Sequence, residues 1–316
     1  MRLTSRRCPN AARPTSPPSS PIPPPKWRSS RASASPNRHD DQLLQALQQG
    51  ATRPGGAFGV RVTILGCGTS GGVPRLGGKD GMGEWGAADS SDPRNRRTRC
   101  SILVEDRDKT VLVDTSPDVR AQLLAAKAQT VDAVIWSHEH ADQVHGIDDL
   151  RPYTFRRGAI EAWADARTLA ILRQRFGYVF ESGGDGLYHA LYDVREFDGP
   201  FTAAGAIAVT PIPLDHGIAP SLGFRFGDVL YVNDVVRVPE QAFALMRDAD
   251  ALIVDAMRYR PHPTHAHLEL ALEWIERIAP RRAFLTNLHV DMDYAELDRR
   301  TPTHVHPCHD GLVIEA

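Results

Sequence analysis

Cysteine is scarce in this chain. Four occur in 316 residues, Cys8, Cys67, Cys100 and Cys308, far apart and never as CxxC. That excludes a zinc knuckle and a disulfide framework, and it fits reduced thiols in a cytoplasmic setting. Long apolar runs are missing too: nothing approaches the ~18 residues of a membrane span, so no membrane partner is expected. Charge of one sign is also lacking. The formal net charge of −2 gives no general attraction to nucleic acid or to a lipid surface. Acidic residues are absent before Asp40, in a stretch of Pro, Ser and Arg that includes Ser16-Pro-Pro-Ser-Ser-Pro-Ile-Pro-Pro-Pro25. Such a composition cannot offset the entropy of ordering, so residues 1–57 read as a disordered extension without catalytic function. The same composition is that of a transit peptide, and a misplaced start codon is a third origin. A short helix over residues 41–49 is compatible with the local pattern.

What is present is enough apolar material for a core, 41% against 24% charged. The globular part is expected over residues 58–316. Residues 60–65 alternate and are β-branched, which predicts a strand. The following Gly66-Cys-Gly-Thr-Ser-Gly-Gly-Val-Pro74 invites a dinucleotide-loop reading, but that needs a helix next, and Pro74 with a polar stretch follows instead. The cluster from Asp92 to Arg99 reads as a solvated loop or, through Arg94 and Arg97, as an anion-binding element. Residues 100–105 and 110–114 predict a hairpin. A helix is expected from Ser116, with Pro117 at its first position.

Residues 131–136 are an apolar run that reads as a buried strand. They lead into Ser137-His138-Glu139-His140-Ala141-Asp142-Gln143-Val144-His145-Gly146. At a strand end, residues i, i+2 and i+4 converge above the sheet edge, so His138, His140 and Asp142 make a metal-ligand pattern suited to zinc, manganese or iron. The alternative is a polar loop in which three titratable residues happen to alternate. Further along, an extended segment over residues 207–216 ends on His216. A hairpin over residues 222–232 leads to Asp234, and apolar strands end on Asp255 and Asn287. A helix is expected over residues 165–176, a loop and lid over 177–186, and a helix over 265–278 capped by Thr264. Chemistry-bearing residues that repeatedly follow apolar strands place the site at strand C-termini, where open α/β sheets bind ligands.

These motifs resemble the metallo-β-lactamase superfamily, whose hallmark is HxHxDH followed by a distant His, a distant Asp and a last His. The matches are His138-Glu-His140-Ala-Asp142, His216 and Asp234. Gly66-Cys-Gly-Thr-Ser, Arg99-Cys-Ser, Gly146-Ile-Asp-Asp-Leu, Pro263-Thr-His265 and Asp310-Gly look most like the branch that includes the phosphoribosyl cyclic phosphodiesterase. The resemblance implies an α/β fold of the αββα four-layer sandwich type. It also implies one or two divalent ions, Mn2+ or Zn2+, that make hydroxide available at neutral pH. The first ion would take His138, His140, His216 and a bridging Asp234. Gln143 and Asn287 stand where the pattern has histidines, both on the side of the second ion, which would keep Asp142 and Asp234. Their amide oxygens, or His145 and His289 two residues beyond, are the candidate replacements. Asp142 would orient the nucleophile or act as base, His265 would contact phosphate or assist the leaving group, and Asp255 would support a histidine.

The expected activity is hydrolysis of a small cyclic or nucleotide-like phosphodiester. Competing readings are a tRNA 3′-processing type of nuclease, a lactone or thioester hydrolase, and a degenerate non-catalytic metal-binding module. A nuclease needs an RNA-binding arm or a broad basic face, which the sequence does not display beyond Arg94 to Arg99. The expected partner is a small phosphorylated substrate, with a homodimer as one candidate assembly.

Overall fold

The described residues form fourteen strands, most of them the alternating and apolar runs of the sequence. In a computed structural model of the chain, which describes residues 59–183 and 189–316, the first half contains β1 (Arg61–Gly66), β2 (Ser101–Asp106), β3 (Lys109–Val113), β4 (Ala133–Ile135), β5 (Ile160–Ala164) and β6 (Tyr192–Glu196). The second half contains β7 (Phe201–Ala203), β8 (Ile207–Asp215), β9 (Pro220–Phe226), β10 (Val229–Val232), β11 (Ala251–Asp255), β12 (Arg282–Thr286), β13 (Val305–Pro307) and β14 (Val313–Glu315). Two seven-stranded sheets result, ordered β14-β1-β2-β3-β4-β5-β6 and β13-β12-β11-β10-β9-β8-β7. Each sheet is antiparallel at one end and parallel at the other, with β3 to β6 parallel in the first and β10 to β13 in the second. Residues 1–57 and the short helix expected at 41–49 lie outside the described residues.

Period-two burial separates three apolar layers. Val62, Ile64, Ile102, Val104, Val111 and Val113 of the first sheet meet Phe224, Phe226, Tyr231 and Ile253 of the second, forming the inter-sheet core. On the other face of the first sheet, Leu103, Leu112, Val134 and Trp136 pack against helices. These are α1 (Val119–Ala125), α2 (Ala141–Val144), α3 (Arg151–Arg157) and α4 (Ala166–Phe180). The outer face of the second sheet, with Leu230, Val232, Leu252 and Val254, is covered by α5 (Leu268–Ile278) and α6 (Tyr294–Arg300). This is the expected αββα sandwich.

Local expectations are met in part. The 100–114 hairpin forms with Asp106 opposite Lys109. Pro211 and Pro213 are tolerated inside β8 because β7 pairs with β8 only at Ile207 to Val209, leaving the far side of the prolines as an open edge. Helix α1 starts at Val119, not at Pro117: the Ser116 hydroxyl accepts from the Asp118 N–H at 3.1 Å, forming a turn ahead of the helix. Helix α4 is capped by Asp165, whose carboxylate accepts from the Thr168 N–H at 2.8 Å. It runs on to Phe180 across a kink at Phe176, so residues 177–180 are helical and not part of a loop. Helix α5 begins at Leu268, which leaves Thr264 and His265 in the preceding loop. Gly66 is demanded by the chain itself: a Cβ there would lie 2.1 Å from the Arg99 carbonyl oxygen. Among the described residues no helix is long and apolar enough to cross a membrane.

Candidate metal centre

Strands from both sheets end at one edge of the sandwich, and their last residues turn over it. Asp114 after β3, Asp234 after β10 and Asn287 after β12 all adopt positive φ, at 63°, 52° and 61°. Asp and Asn tolerate this region best among residues with a Cβ, because their short polar side chains bond locally. The kink aims each side chain into the cleft between the sheets.

His138 and His140 follow β4, and His216 follows β8. Their rings lie with centroids 4.6 Å (His138–His140), 5.0 Å (His140–His216) and 5.3 Å (His138–His216) apart. The ring nitrogens of the three lie within 4.8 Å of one another, and the same holds for ligand atoms of His216, Asp234 and His265. The tautomers follow from the hydrogen bonds. Ser137 donates its hydroxyl to Asp114 Oδ2 at 2.8 Å, so its oxygen receives the Nδ1–H of His138 at 3.0 Å. That leaves His138 Nε2 bare, and it is buried without a hydrogen-bond partner. His216 Nδ1 lies 2.7 Å from the Thr264 carbonyl and must donate to it, leaving His216 Nε2 bare as well. A Cβ at Gly217, where φ is 85°, would lie 2.6 Å from the Pro263 carbonyl oxygen, so glycine lets this loop close on His216.

Electrostatics keep these nitrogens available. Burial, then His140 and His216, hold the His138 pKa well below the usual value. Burial and then His265 lower His216 to about 4, against the Thr264 carbonyl. Burial raises the Asp234 carboxyl well above its ordinary range, with His265 opposing and Asp142 and Asp255 reinforcing. Burial also lifts Asp114 to about 7 despite its two hydrogen bonds from Ser137. For His265, burial pushes down and the carboxylates of Asp255, Asp234 and Asp142 more than reverse it, giving about 9. Its Nδ1 sits 2.8 Å from Asp255 Oδ2. Neutral buried imidazoles, an orphaned nitrogen and a buried carboxylate are a donor set that fits a divalent ion.

Gln143 and Asn287 also reach this cluster. Gln143 Nε2 donates to Asp234 Oδ2 at 3.1 Å and to Asp142 Oδ2 at 3.3 Å. Asn287 Nδ2 lies 3.4 Å from Asp234 Oδ1 and 3.1 Å from His265 Nδ1. His145 does not reach it. It follows Gln143 by two helical positions, on the opposite face of α2, is exposed, and packs on Phe176 at 5.8 Å between centroids. His289 is turned outward, with Nε2 at 3.1 Å from Arg75 Nη1 and Nδ1 at 3.1 Å from Asp291. Arg94 pairs with Asp92 and stacks on Tyr294, 4.0 Å from its ring centre. Arg97 is 1% exposed and bonds Asn95 Oδ1 at 2.9 Å. Both arginines are thus engaged in holding the chain, away from the cleft.

Sequence reasoning missed Asp114 and Ser137, which set the His138 tautomer. It also missed Glu139, whose carboxylate takes two bonds from Arg167, at 2.7 and 2.6 Å, while Arg175 donates to its carbonyl at 2.6 Å. Their one local signal was position: Asp114 ends a strand as the ligands do.

Comparison with known proteins agrees with this geometry. Residues 109–287 match the family described as the Beta-lactamase superfamily domain. A solved structure described as a diphosphatase from the PhnP family is 32% identical, with a TM-score of 0.74 over 81% of this chain and 97% of that one. The Zn(2+)-bound PqqB of Methylobacterium extorquens shares the fold at 20% identity and a TM-score of 0.62, over 81% of this chain and all (100%) of that one. A Porphyromonas gingivalis (strain ATCC BAA-308 / W83) protein named octanoyltransferase is 34% identical over 260 residues, 80% of this chain. The chain spans 51% of that relative's length, about half. With a match across more than half its length, two stacked mixed sheets and a histidine–aspartate cluster at their edge, the chain belongs to the metallo-β-lactamase superfamily.

Proposed function

We propose that this protein is a metal-dependent phosphodiesterase acting on a small cyclic or nucleotide-like phosphate. The observation that carries the reading is the pairing of two opposite features in one cleft. Three imidazoles and a buried carboxyl group converge where a cation can be held, and beside them His265, bonded to Asp255, is raised to about 9 against the pull of burial. A phosphodiester needs both, because charge builds on its non-bridging oxygens as the nucleophile attacks. Similarity to a PhnP-family diphosphatase supports the phosphate class of substrate.

His138 Nε2, His140, His216 Nε2 and Asp234 would hold the ion. A divalent ion in that position supplies Lewis acidity and lowers the pKa of a water toward ~7. Asp142, half-buried beside them and steadied by the Gln143 amide, is placed to accept the proton of the attacking water. His265 commits Nδ1 to Asp255 and so presents Nε2–H to a phosphate oxygen or to the leaving group. The Asp255 carboxylate on Nδ1 favours the protonated ring. We place the protein in the cytoplasm on its reduced-cysteine composition.

The test is turnover of bis-p-nitrophenyl phosphate by full-length protein supplied with Mn2+ or Zn2+. Activity is expected, supported best by Mn2+, and His140→Ala is expected to abolish it. Folded protein that turns over no phosphodiester with any divalent metal would remove the proposal.

A further inference from the structure

We infer that the centre takes one divalent ion, and that a bracket of side-chain amides stands where a second ion would sit. The inference rests on the reading of this cluster as a hydrolytic metal centre and specifies how many ions that centre holds. A second ion would need to lie between Asp142 and Asp234 and draw further ligands from Gln143, Asn287, His145 or His289.

The space between those carboxylates is already bridged. Gln143 Nε2 spans it, 3.3 Å from Asp142 Oδ2 and 3.1 Å from Asp234 Oδ2. Asn233 Nδ2 adds a second donor to Asp234 Oδ2 at 2.8 Å, and the Asn287 amide group lies 3.4 Å from Asp234 Oδ1. Amide groups thus face the Asp234 oxygens where a shared cation would otherwise sit. Turning the Gln143 amide over would set its Oε1, now buried without a hydrogen-bond partner, against the two carboxyl groups and surrender both hydrogen bonds. Such a turn is compensated only if an ion binds through the amide oxygens, donors that suit Mn2+ better than Zn2+, so the bracket opposes a second Zn2+ most strongly.

The two convergent triads do not amount to two sites. His138, His140 and His216 form one, and His216, Asp234 and His265 form the other, so both use His216. With Nδ1 committed to the Thr264 carbonyl, His216 has a single lone pair to give, at Nε2. His265 is likewise committed through Nδ1 to Asp255. Asp142 belongs to neither triad among the described residues. His145 and His289 point elsewhere, toward Phe176 and Arg75. The donors therefore close around one ion.

The experiment counts metal. Full-length protein, stripped with chelator and dialysed against low-micromolar free Mn2+ or Zn2+, is analysed by elemental mass spectrometry. One ion per chain is expected, with the electron paramagnetic resonance spectrum of isolated Mn2+. The double variant Gln143→His/Asn287→His removes the bracket and restores two imidazoles, so it is expected to hold two ions and to show a spin-coupled Mn2+ pair. Two ions or a coupled pair in the unaltered protein would overturn the inference while leaving the hydrolase reading intact. A folded double variant that still holds one ion would overturn the role given to the amides. No bound metal in the unaltered protein would remove the hydrolase reading itself, and the inference with it.

Discussion

At the scale of single residues, the centre is built by hydrogen bonds that decide which nitrogen is bare. The chain His138 Nδ1–H to Ser137 Oγ, then Ser137 O–H to Asp114, fixes one tautomer, and the Thr264 carbonyl fixes another. Partners that orient a ligating imidazole typically change metal affinity about 10- to 100-fold when removed. Ser137→Ala is therefore expected to weaken Mn2+ or Zn2+ binding by about that factor with little loss of fold, measured by competition with a chromophoric chelator. Unchanged affinity would show that the tautomer is set without Ser137. The ligands were legible in the sequence because His138, His140 and Asp142 keep a period of two beyond a strand, and His216 and Asp234 each follow one. Asp114 and Ser137 were not, because their bond joins residues 23 apart and neither type is scarce enough to stand out. The amide bracket was legible only as two departures, Gln143 and Asn287. Which atom each presents to Asp234 depends on tertiary placement, of Gln143 on α2 and of Asn287 at a strand-end kink, and no local pattern encodes that.

At the scale of elements, the ligand loop is held by a helix from the neighbouring connection. Arg167 and Arg175 project from α4 and grip both ends of the Glu139 residue between the two histidines, carboxylate and carbonyl. Bidentate arginine bonds of this kind fix geometry as well as adding energy. Glu139 is 6% exposed, so losing its partner leaves a carboxylate poorly solvated. Arg167→Met, which keeps the stem, is expected to lower stability by about 1–3 kcal/mol and to weaken metal binding. The exposed Arg173 on the same helix is the control, expected to change stability by less than about 0.5 kcal/mol when replaced by Met. Denaturant midpoints check both, and equal small effects would contradict the clamp. The sequence placed this helix but stopped it at Phe176, because Gly177 read as the start of a loop, whereas the helix continues past a kink at Phe176. Strands β6 and β7 escaped notice because the first is largely charged and the second only three residues long, so neither carries an apolar run.

At the scale of the whole molecule, the last strand of the described residues secures the first. β14 pairs with β1 and completes the first sheet. Just before it, Asp310 accepts bonds from the Thr98 N–H and hydroxyl, both 2.7 Å, and from the Cys67 N–H at 3.2 Å. Burial raises this carboxyl from 3.8 to about 6 in spite of those donors. An acid raised on folding binds protons more readily in the folded state. Its contribution therefore favours folding most below pH 3.8 and is lost as pH rises through 6, by about 3 kcal/mol for a shift of roughly two units. Relative to Asp310→Asn, which does not ionise, the unaltered protein is expected to lose about that much between about pH 4 and pH 7. Urea unfolding at the two pH values measures it, and a change of opposite sign would contradict the assignment. The sandwich was legible only through the family resemblance of the metal-ligand motif, since the order of strands and helices alone gave no more than a layered domain of both. Pairing of β14 with β1 across the whole sequence was legible only as a last short apolar segment. The central claim is that one ion, held by His138, His140, His216 and Asp234, supports phosphodiester hydrolysis in this cleft. Its most direct test is to titrate metal-free protein with Mn2+ while following bis-p-nitrophenyl phosphate turnover. The account predicts a rate that rises linearly and breaks at one equivalent; no turnover, or a break at two, would contradict it.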